Sequence, residues 1–191
     1  QNLALANAAA NAPSLLHVHE DFMRRLEQAG TLDREIEGLP SRRDVRRRLD
    51  RGRGLTPPEL AVLMAWTKIV LADKLLAGEL PDDPYLDLDL KAYFPTPMRE
   101  RFQGQIAAHP LRREIIVTQV VNDLVNGAGM TFWPRLASET GATAADLTRA
   151  NFVAREVFAS LPLRDELSSW DNKIDASVQT RMRVEMRTLV E

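Results

Sequence analysis

Metal binding is the first chemistry that the polar residues of this sequence suggest. His17 and His19 lie two residues apart in the stretch HVHED. On a helix, residues two apart point about 200° away from each other, so these two cannot bind one ion, whereas His17 and Asp21 are one turn apart and could. No third ligand is nearby, and zinc sites have at least three protein ligands. We therefore interpret the histidines as surface or interhelical pairing residues and expect no metal site.

A calcium site is the second possibility, because four aspartates are close together: Asp82, Asp83, Asp87 and Asp89. They lack the alternating ligand spacing and the central glycine of an EF-hand loop. The favourable interaction of acids with the first turn of a helix explains Asp82 and Asp83 more simply. The chain also has no cysteine, no glycine-rich phosphate loop and no nucleophile elbow. We therefore predict no metal, catalytic or cofactor-binding residue in this chain.

Arginines dominate the segment Arg42–Arg53, where only Asp44 and Asp50 oppose them. The arginines are Arg42, Arg43, Arg46, Arg47, Arg48, Arg51 and Arg53. Such a patch could bind phosphates of a nucleic acid or of a phosphorylated partner. However, it has no interleaved aromatic residues for base stacking, and no known nucleic-acid module surrounds it. We favour a solvated helix face or a subunit contact, and expect no nucleic acid as partner.

A polar stripe follows one face of an otherwise apolar segment. Thr118, Asn122 and Asn126 recur every four residues, which places them on one side of a helix. One interpretation is that they form hydrogen bonds between packed helices, since buried polar groups usually find partners. The other is a polar seam that faces another domain or subunit. We favour the first and leave the second open.

Helices must position all of these residues. Glycine or proline lies at the boundaries between the apolar segments, and no sustained alternation of period two indicates a strand. The predicted helices cover 3–12, 14–30, 31–38, 41–51, 57–77, 82–93, 97–109, 110–126, 131–140, 143–159, 163–170 and 175–190. The sequence therefore predicts an all-α fold, an irregular multi-helix bundle around two buried central helices, 57–77 and 111–126.

The first central helix has a strong start, because Thr56 and Glu59 form a capping-box pattern with Pro57 at the first helical position. It is apolar almost all round, which indicates burial on all sides. Lys68 and the charges that follow it argue against a membrane span, so we expect no membrane. Five residues of the two central helices are predicted to be buried: Leu63, Trp66, Ile116, Val120 and Leu124.

Composition agrees with a globular protein, with 191 residues, 45% hydrophobic residues and a net charge of −2. That charge gives no general attraction to nucleic acids or anionic membranes. No signal-peptide pattern is present, and we expect a cytoplasmic protein. The opening QNLALANAAANA is typical of a chain cut from a longer one. We predict one helical domain at 1–191, with a possible arm at 1–54 and a compact core at 55–191.

Three stretches carry a family resemblance: LTPPELAVLMAWTKIVLADKLL, LPDDPYLDLDLKAYFPTPMRERF and HPLRREIIVTQVVNDLVNGAGMTFWPRLASETGA. In this order they resemble the C-terminal region of the large bacterial NAD-specific glutamate dehydrogenases. The preceding LLHVHEDFMRRLEQAGTLDREIEGLPS is similar to the segment that joins the catalytic core to this region. The resemblance covers nearly the whole chain and weakens after about Phe158.

This resemblance implies an auxiliary domain of an enzyme. The parent would oxidatively deaminate L-glutamate to 2-oxoglutarate and ammonium with NAD, and its catalytic and nucleotide-binding residues would lie outside this chain. The fragment alone is expected to be inactive and to bind no cofactor. Its expected partners are the other domains of the same chain, further copies in a homo-oligomer, and a regulatory protein. Two alternatives stay open: a helical protein-interaction scaffold and, less favoured, an Arg-rich nucleic-acid-binding module.

Overall fold

Helices are the main regular elements in the part of the chain that the structure describes, and turns and loops join them. The structure is a computed structural model that describes residues 2–170, 173–175, 178–179, 181–182 and 185. The helices are α1 Asn2–Asn11, α2 Leu16–Gln28, α3 Arg42–Leu49, α4 Pro57–Leu76, α5 Asp87–Tyr93, α6 Thr96–Arg101, α7 Gln103–Ala107, α8 Arg112–Ala128, α9 Phe132–Thr140, α10 Ala144–Val157 and α11 Ser160–Ser169. No strand occurs in the described ranges, so the all-α prediction is confirmed.

Helices α4 and α8 pack against each other at the centre, and α1, α5 and α10 pack on this pair. Their facing side chains form the middle of one apolar cluster that includes Leu60, Leu63, Met64, Leu71, Leu75, Ile115, Ile116, Val120, Val121, Leu124 and Val125. The predicted burial of Leu63, Ile116, Val120 and Leu124 is confirmed. These two helices therefore form the centre of the described fold.

The outward side of α4 differs from the prediction. Ala61, Ala65 and Ile69 are exposed, with Ile69 at 47%, and Trp66 is only partly buried. The expectations that α4 is buried all round and that Trp66 lies in the core were therefore wrong. The reason is that no helix in the described part of the chain covers this side of α4.

The region before α4 joins the same core. Phe22, Met23, Leu32, Val45 and Leu55 all belong to the apolar cluster that α4 and α8 centre. The cluster therefore runs across residue 54, while the predicted division into an arm and a core stays a prediction. At Gly54 the chain passes so close to Ala12 that an added Cβ would lie 2.3 Å from the carbonyl carbon of Ala12. Only glycine fits this contact.

Some predicted helix boundaries need correction. Residues 31–38 form a turn rather than a helix, because the Asp33 carboxylate accepts hydrogen bonds from the backbone N–H groups of Glu35 and Ile36. The predicted helix 82–93 begins as two 3₁₀ turns before α5, and the predicted helix 97–109 is interrupted at Phe102. Most of the predicted helix 175–190 lies outside the described residues.

Candidate functional site

The polar stripe on α8 is tied to α4 by one lysine. Lys68 donates to the Oδ1 atoms of Asn122 at 2.7 Å and Asn126 at 3.2 Å. Thr118, the third member of the stripe, is exposed and donates to the carbonyl oxygen of Glu114 in its own helix. The interpretation as hydrogen bonds between packed helices therefore describes Asn122 and Asn126. Lys68, Asn122 and Asn126 are called the amide–lysine cluster below.

The amide–lysine cluster carries an unbalanced positive charge. In the described ranges, no carboxylate lies within 4.0 Å of the Lys68 ammonium. Burial lowers the pKa of Lys68, since desolvation disfavours the charged amine. The two asparagine oxygens face the ammonium, so their NH₂ groups point elsewhere. Among the described residues, the cluster thus has hydrogen-bond donors that are not engaged and no anion of its own.

The two histidines are separated as the helix geometry predicts, and they differ in environment. His19 is 1% exposed, and its Nδ1 has no hydrogen-bond partner among the described residues. Burial, helped by the nearby His17, lowers its pKa from 6.5 to about 4. His17 is exposed, and Asp21, its possible co-ligand, instead pairs with Arg24 and Arg25. His19 is therefore a neutral core histidine.

Two aspartates after α4, Asp82 and Asp83, have side chains that the structure describes, and both make local structural contacts. Asp82 pairs with Arg112 and Arg113, and Asp83 accepts from the backbone N–H of Tyr85. The side chains of Asp87 and Asp89 lie outside the described part of the structure. Over the residues that are described, no three histidine, aspartate or glutamate side chains are placed to hold a metal ion.

Part of the arginine segment holds α3 to the start of α4. Arg48 donates to both carboxylate oxygens of Glu59, at 2.6 and 2.8 Å, while Glu59 also accepts from the Thr56 backbone N–H at 2.7 Å. Partial burial acts to raise the pKa of Glu59, but the hydrogen bonds from Arg48 and Thr56 outweigh it and lower that pKa. The predicted capping box is therefore confirmed and is extended by an ion pair.

Other arginines of this segment point outward. Arg47 pairs with Asp44 at 2.7 Å and Arg42 with Glu27 at 3.4 Å, and both arginine side chains are 62% exposed. Arg43 and Arg46 are also exposed. The geometry is that of a mostly solvated helix face, on which the less exposed Arg48 makes the ion pair to α4 and the exposed Arg42 makes one to α2. The expected absence of a nucleic-acid partner stays a prediction.

Arg34 is a buried arginine with a structural role that the sequence did not reveal. It is 6% exposed, and it pairs with Glu20 at 2.7 Å and Glu27 at 3.0 Å, both on α2. It also donates to the carbonyl oxygen of Pro40 at 3.2 Å. It thereby fixes the turn after α2 against that helix. No sequence signal could identify it, since its partners precede it across a turn.

Two arginines in the motifs that carry the family resemblance donate hydrogen bonds to carbonyl groups at helix C-termini. Arg99, in PTPMRERF, donates to the carbonyl oxygens of Phe94 at 2.7 Å and Ala92 at 2.9 Å, at the end of α5. Arg113, in LRREI, donates to those of Leu76 and Gly78, both at 2.8 Å, at the end of α4. Helix C-termini have unsatisfied carbonyl groups and attract cations. These motif residues therefore stabilise the helix ends.

A comparison with known families settles the origin of these motifs. Residues 52–191 match the model of the family described as glutamate dehydrogenase, C-terminal. The chain belongs to this glutamate dehydrogenase C-terminal family. The resemblance stated from the motifs is thereby confirmed, and the match includes α4, α8 and the amide–lysine cluster.

Curated relatives agree with this assignment. The chain is 44% identical over 158 residues to the NAD-specific glutamate dehydrogenase of Mycobacterium tuberculosis, a match that covers 83% of this chain and 10% of the relative. It is 39% identical over 169 residues to that of Halomonas elongata, covering 88% of this chain and 10% of the relative. For Pseudomonas aeruginosa the identity is 37% over 189 residues, covering 99% and 12%. This member of the glutamate dehydrogenase C-terminal family thus spans about a tenth of the length of its curated relatives.

Two surface grooves complete the description of this C-terminal region. One lies between α2 and α9 and is lined by apolar and charged residues, and the charged ones form the pairs Asp21–Arg25 and Arg135–Glu139. The other lies along α10 and is mainly apolar, with Val153 and Val157 exposed. In the described part of the chain, no helix is both long and apolar enough to cross a membrane.

Proposed function

We propose that this chain is the auxiliary C-terminal domain of a cytoplasmic NAD-dependent glutamate dehydrogenase. The parent enzyme oxidatively deaminates L-glutamate to 2-oxoglutarate and ammonium while NAD is reduced, and residues outside this chain carry out the chemistry. The observation that carries this proposal is the family match over residues 52–191, together with relatives named NAD-specific glutamate dehydrogenase of which the chain covers about a tenth.

An assembly or regulatory role fits the charged groups of the domain. Arg34, Arg48, Arg99 and Arg113 are engaged in ion pairs or at helix ends, where they hold the fold. Catalytic groups, by contrast, stand at a cleft that admits substrate. The partners of this domain are the other domains of the same polypeptide and further copies in a homo-oligomer. A regulatory protein is a further partner that this domain could bind.

The test is a measurement of glutamate-dependent NADH formation by the full-length protein and by residues 1–191 alone. We expect turnover by the full-length protein and none by the isolated chain. Turnover by the isolated chain would show that catalytic residues lie within it. If the full-length protein is correctly folded and lacks this activity, the proposed reaction is contradicted.

The apolar groove along α10 favours one alternative, an independent helical protein-interaction scaffold. Val153 and Val157 are 62% and 70% exposed, and exposed apolar patches commonly mark binding surfaces. The reading frame of the gene distinguishes the enzyme domain from the independent scaffold. A long open reading frame upstream of Gln1 supports the enzyme domain, whereas a start codon immediately before Gln1 supports the scaffold.

A further inference from the structure

The outward face of α4 is apolar along most of its length. Val62 and Trp66 are partly buried there, Ala61 and Ala65 are exposed, and Ile69 is 47% exposed. A helix at the surface of a globular protein normally presents polar residues to water. The exposed apolar face of α4 therefore indicates a surface that is covered in the complete protein.

The amide–lysine cluster borders this face. Lys68 is adjacent to Ile69 in the sequence, and Ala65 and Ala72 lie one turn away on the same helix. The ammonium of Lys68 has three donors, of which Asn122 and Asn126 accept two, and both acceptors are neutral. The apolar face and the unbalanced charge thus form one continuous surface.

Charge complementarity defines what this surface accepts. A half-buried ammonium that becomes fully buried needs an opposite charge, because an unpaired buried charge is costly. The spare NH₂ groups of Asn122 and Asn126 can donate to the same anion. A partner that covers α4 must therefore bring a carboxylate to Lys68, surrounded by apolar side chains that meet Ala65 and Ile69.

We propose that the outer face of α4 and the amide–lysine cluster form an interface with another region of the same polypeptide, which inserts an aspartate or glutamate side chain toward Lys68. This inference rests on the proposed function, because it requires a parent chain beyond these 191 residues. The relatives supply the reason for choosing this occupant, since about nine-tenths of their length lies outside the matched region.

Zero-length crosslinking of the full-length protein tests the proposal. A carbodiimide joins an amine to a carboxylate that touches it, forming an amide with loss of water. We expect peptide mapping to find Lys68 joined to an aspartate or glutamate outside residues 1–191. Lys74, which is exposed in the last turn of the same helix, is the internal control and should give no such product. The Lys68→Arg variant, which keeps the charge, should lose the crosslinked peptide.

Two outcomes would overturn this interface. One is the absence of any Lys68 crosslink in the folded full-length protein. The other is a crosslink from Lys68 to this same region in a second copy, such as to the exposed Asp73, which a mixture of isotope-labelled and unlabelled protein would reveal. That result would identify the face as a contact between copies.

A pair of matched substitutions tests the apolar part of the surface. In the full-length protein, Ile69→Asp should lower the yield of the Lys68 crosslink by about ten-fold, since a buried carboxylate disfavours the contact. Ile36→Asp, at a site 82% exposed on the turn after α2, should leave the yield unchanged. Equal yields in the two variants would contradict the proposal. Glutamate-dependent NADH formation is measured separately, so loss of the interface and loss of the proposed reaction remain distinguishable.

Discussion

Arg34 and Arg42 both contact Glu27, yet they should differ greatly in their contribution to stability. Arg34 is 6% exposed and also pairs with Glu20, whereas the Arg42 side chain is 62% exposed. Replacing Arg34 with Met removes the ion pair of the partly buried Glu20 and leaves Glu27 paired with the exposed Arg42, and should lower the free energy of unfolding by about 3 kcal/mol. Arg42→Met should cost less than about 1 kcal/mol. Urea unfolding measures both, and similar losses would mean that Arg34 is not the anchor of this turn.

His19 predicts a pH dependence of stability. Burial lowers its pKa from 6.5 to about 4 in the folded protein, so the unfolded chain binds more protons between these two values. The contribution of neutral His19 to the free energy of unfolding is fully present above pH 6.5. It is lost as the pH falls toward 4, by about 3 kcal/mol in total. Unfolding measured from pH 7 to 4 should show this slope, and His19→Leu should flatten it. His17→Leu, at an exposed site, should retain most of it, and a slope unchanged in His19→Leu would refute the assignment.

At the scale of elements, α4 offers an internal comparison between its two sides. Leu63 is fully buried against the core, so truncation to Ala should cost about 2–5 kcal/mol. Ile69 is 47% exposed, and the same truncation there should cost under about 1 kcal/mol in the isolated chain. Chemical denaturation of the two variants gives both values. A small loss at Leu63 would mean that α4 is not the central helix.

Sequence predicted the elements whose signals are local. The capping box of Thr56 and Glu59 and the apolar residues of α8 lie within a few turns of chain, and both predictions were correct. The outward side of α4 was misassigned because an apolar helix has no polar face to reveal its orientation. Residues 31–38 were misassigned because the Asp33 side chain replaces helical hydrogen bonds with a turn.

The candidate site was visible from the sequence only in part. The spacing of Thr118, Asn122 and Asn126 identified a polar stripe, since that pattern is local. Its partner Lys68 lies 54 residues before Asn122, and only the packing of α4 on α8 brings the two together. The same holds for Arg113, which reaches back to the end of α4. Long-range contacts of this kind leave no mark on a single sequence.

At the scale of the whole molecule, one apolar cluster connects the N-terminal helices with α4, α8 and α9. The cluster includes Leu16 and Phe22 of α2 as well as Phe132 and Trp133 of α9, and the rings of Phe22 and Trp133 meet edge to face. Arg155 and Arg164 further tie α10 and α11 to Asp123 on α8. The described helices therefore support one another, and the uncovered side of α4 is the exception that a larger protein would explain.

Nucleotide binding is the property of the whole chain that most directly tests its role. Dinucleotide sites typically use a strand, a glycine-rich turn and the N-terminus of a helix, which together hold the pyrophosphate. The described residues contain helices and turns without a strand. Titration of the isolated chain with NADH, followed by heat or by thermal shift, should therefore show no saturable binding, while the full-length protein should bind. Saturable binding by residues 1–191 would place a cofactor or allosteric site in the helical domain itself, because no other part of the parent would then be present to hold the nucleotide.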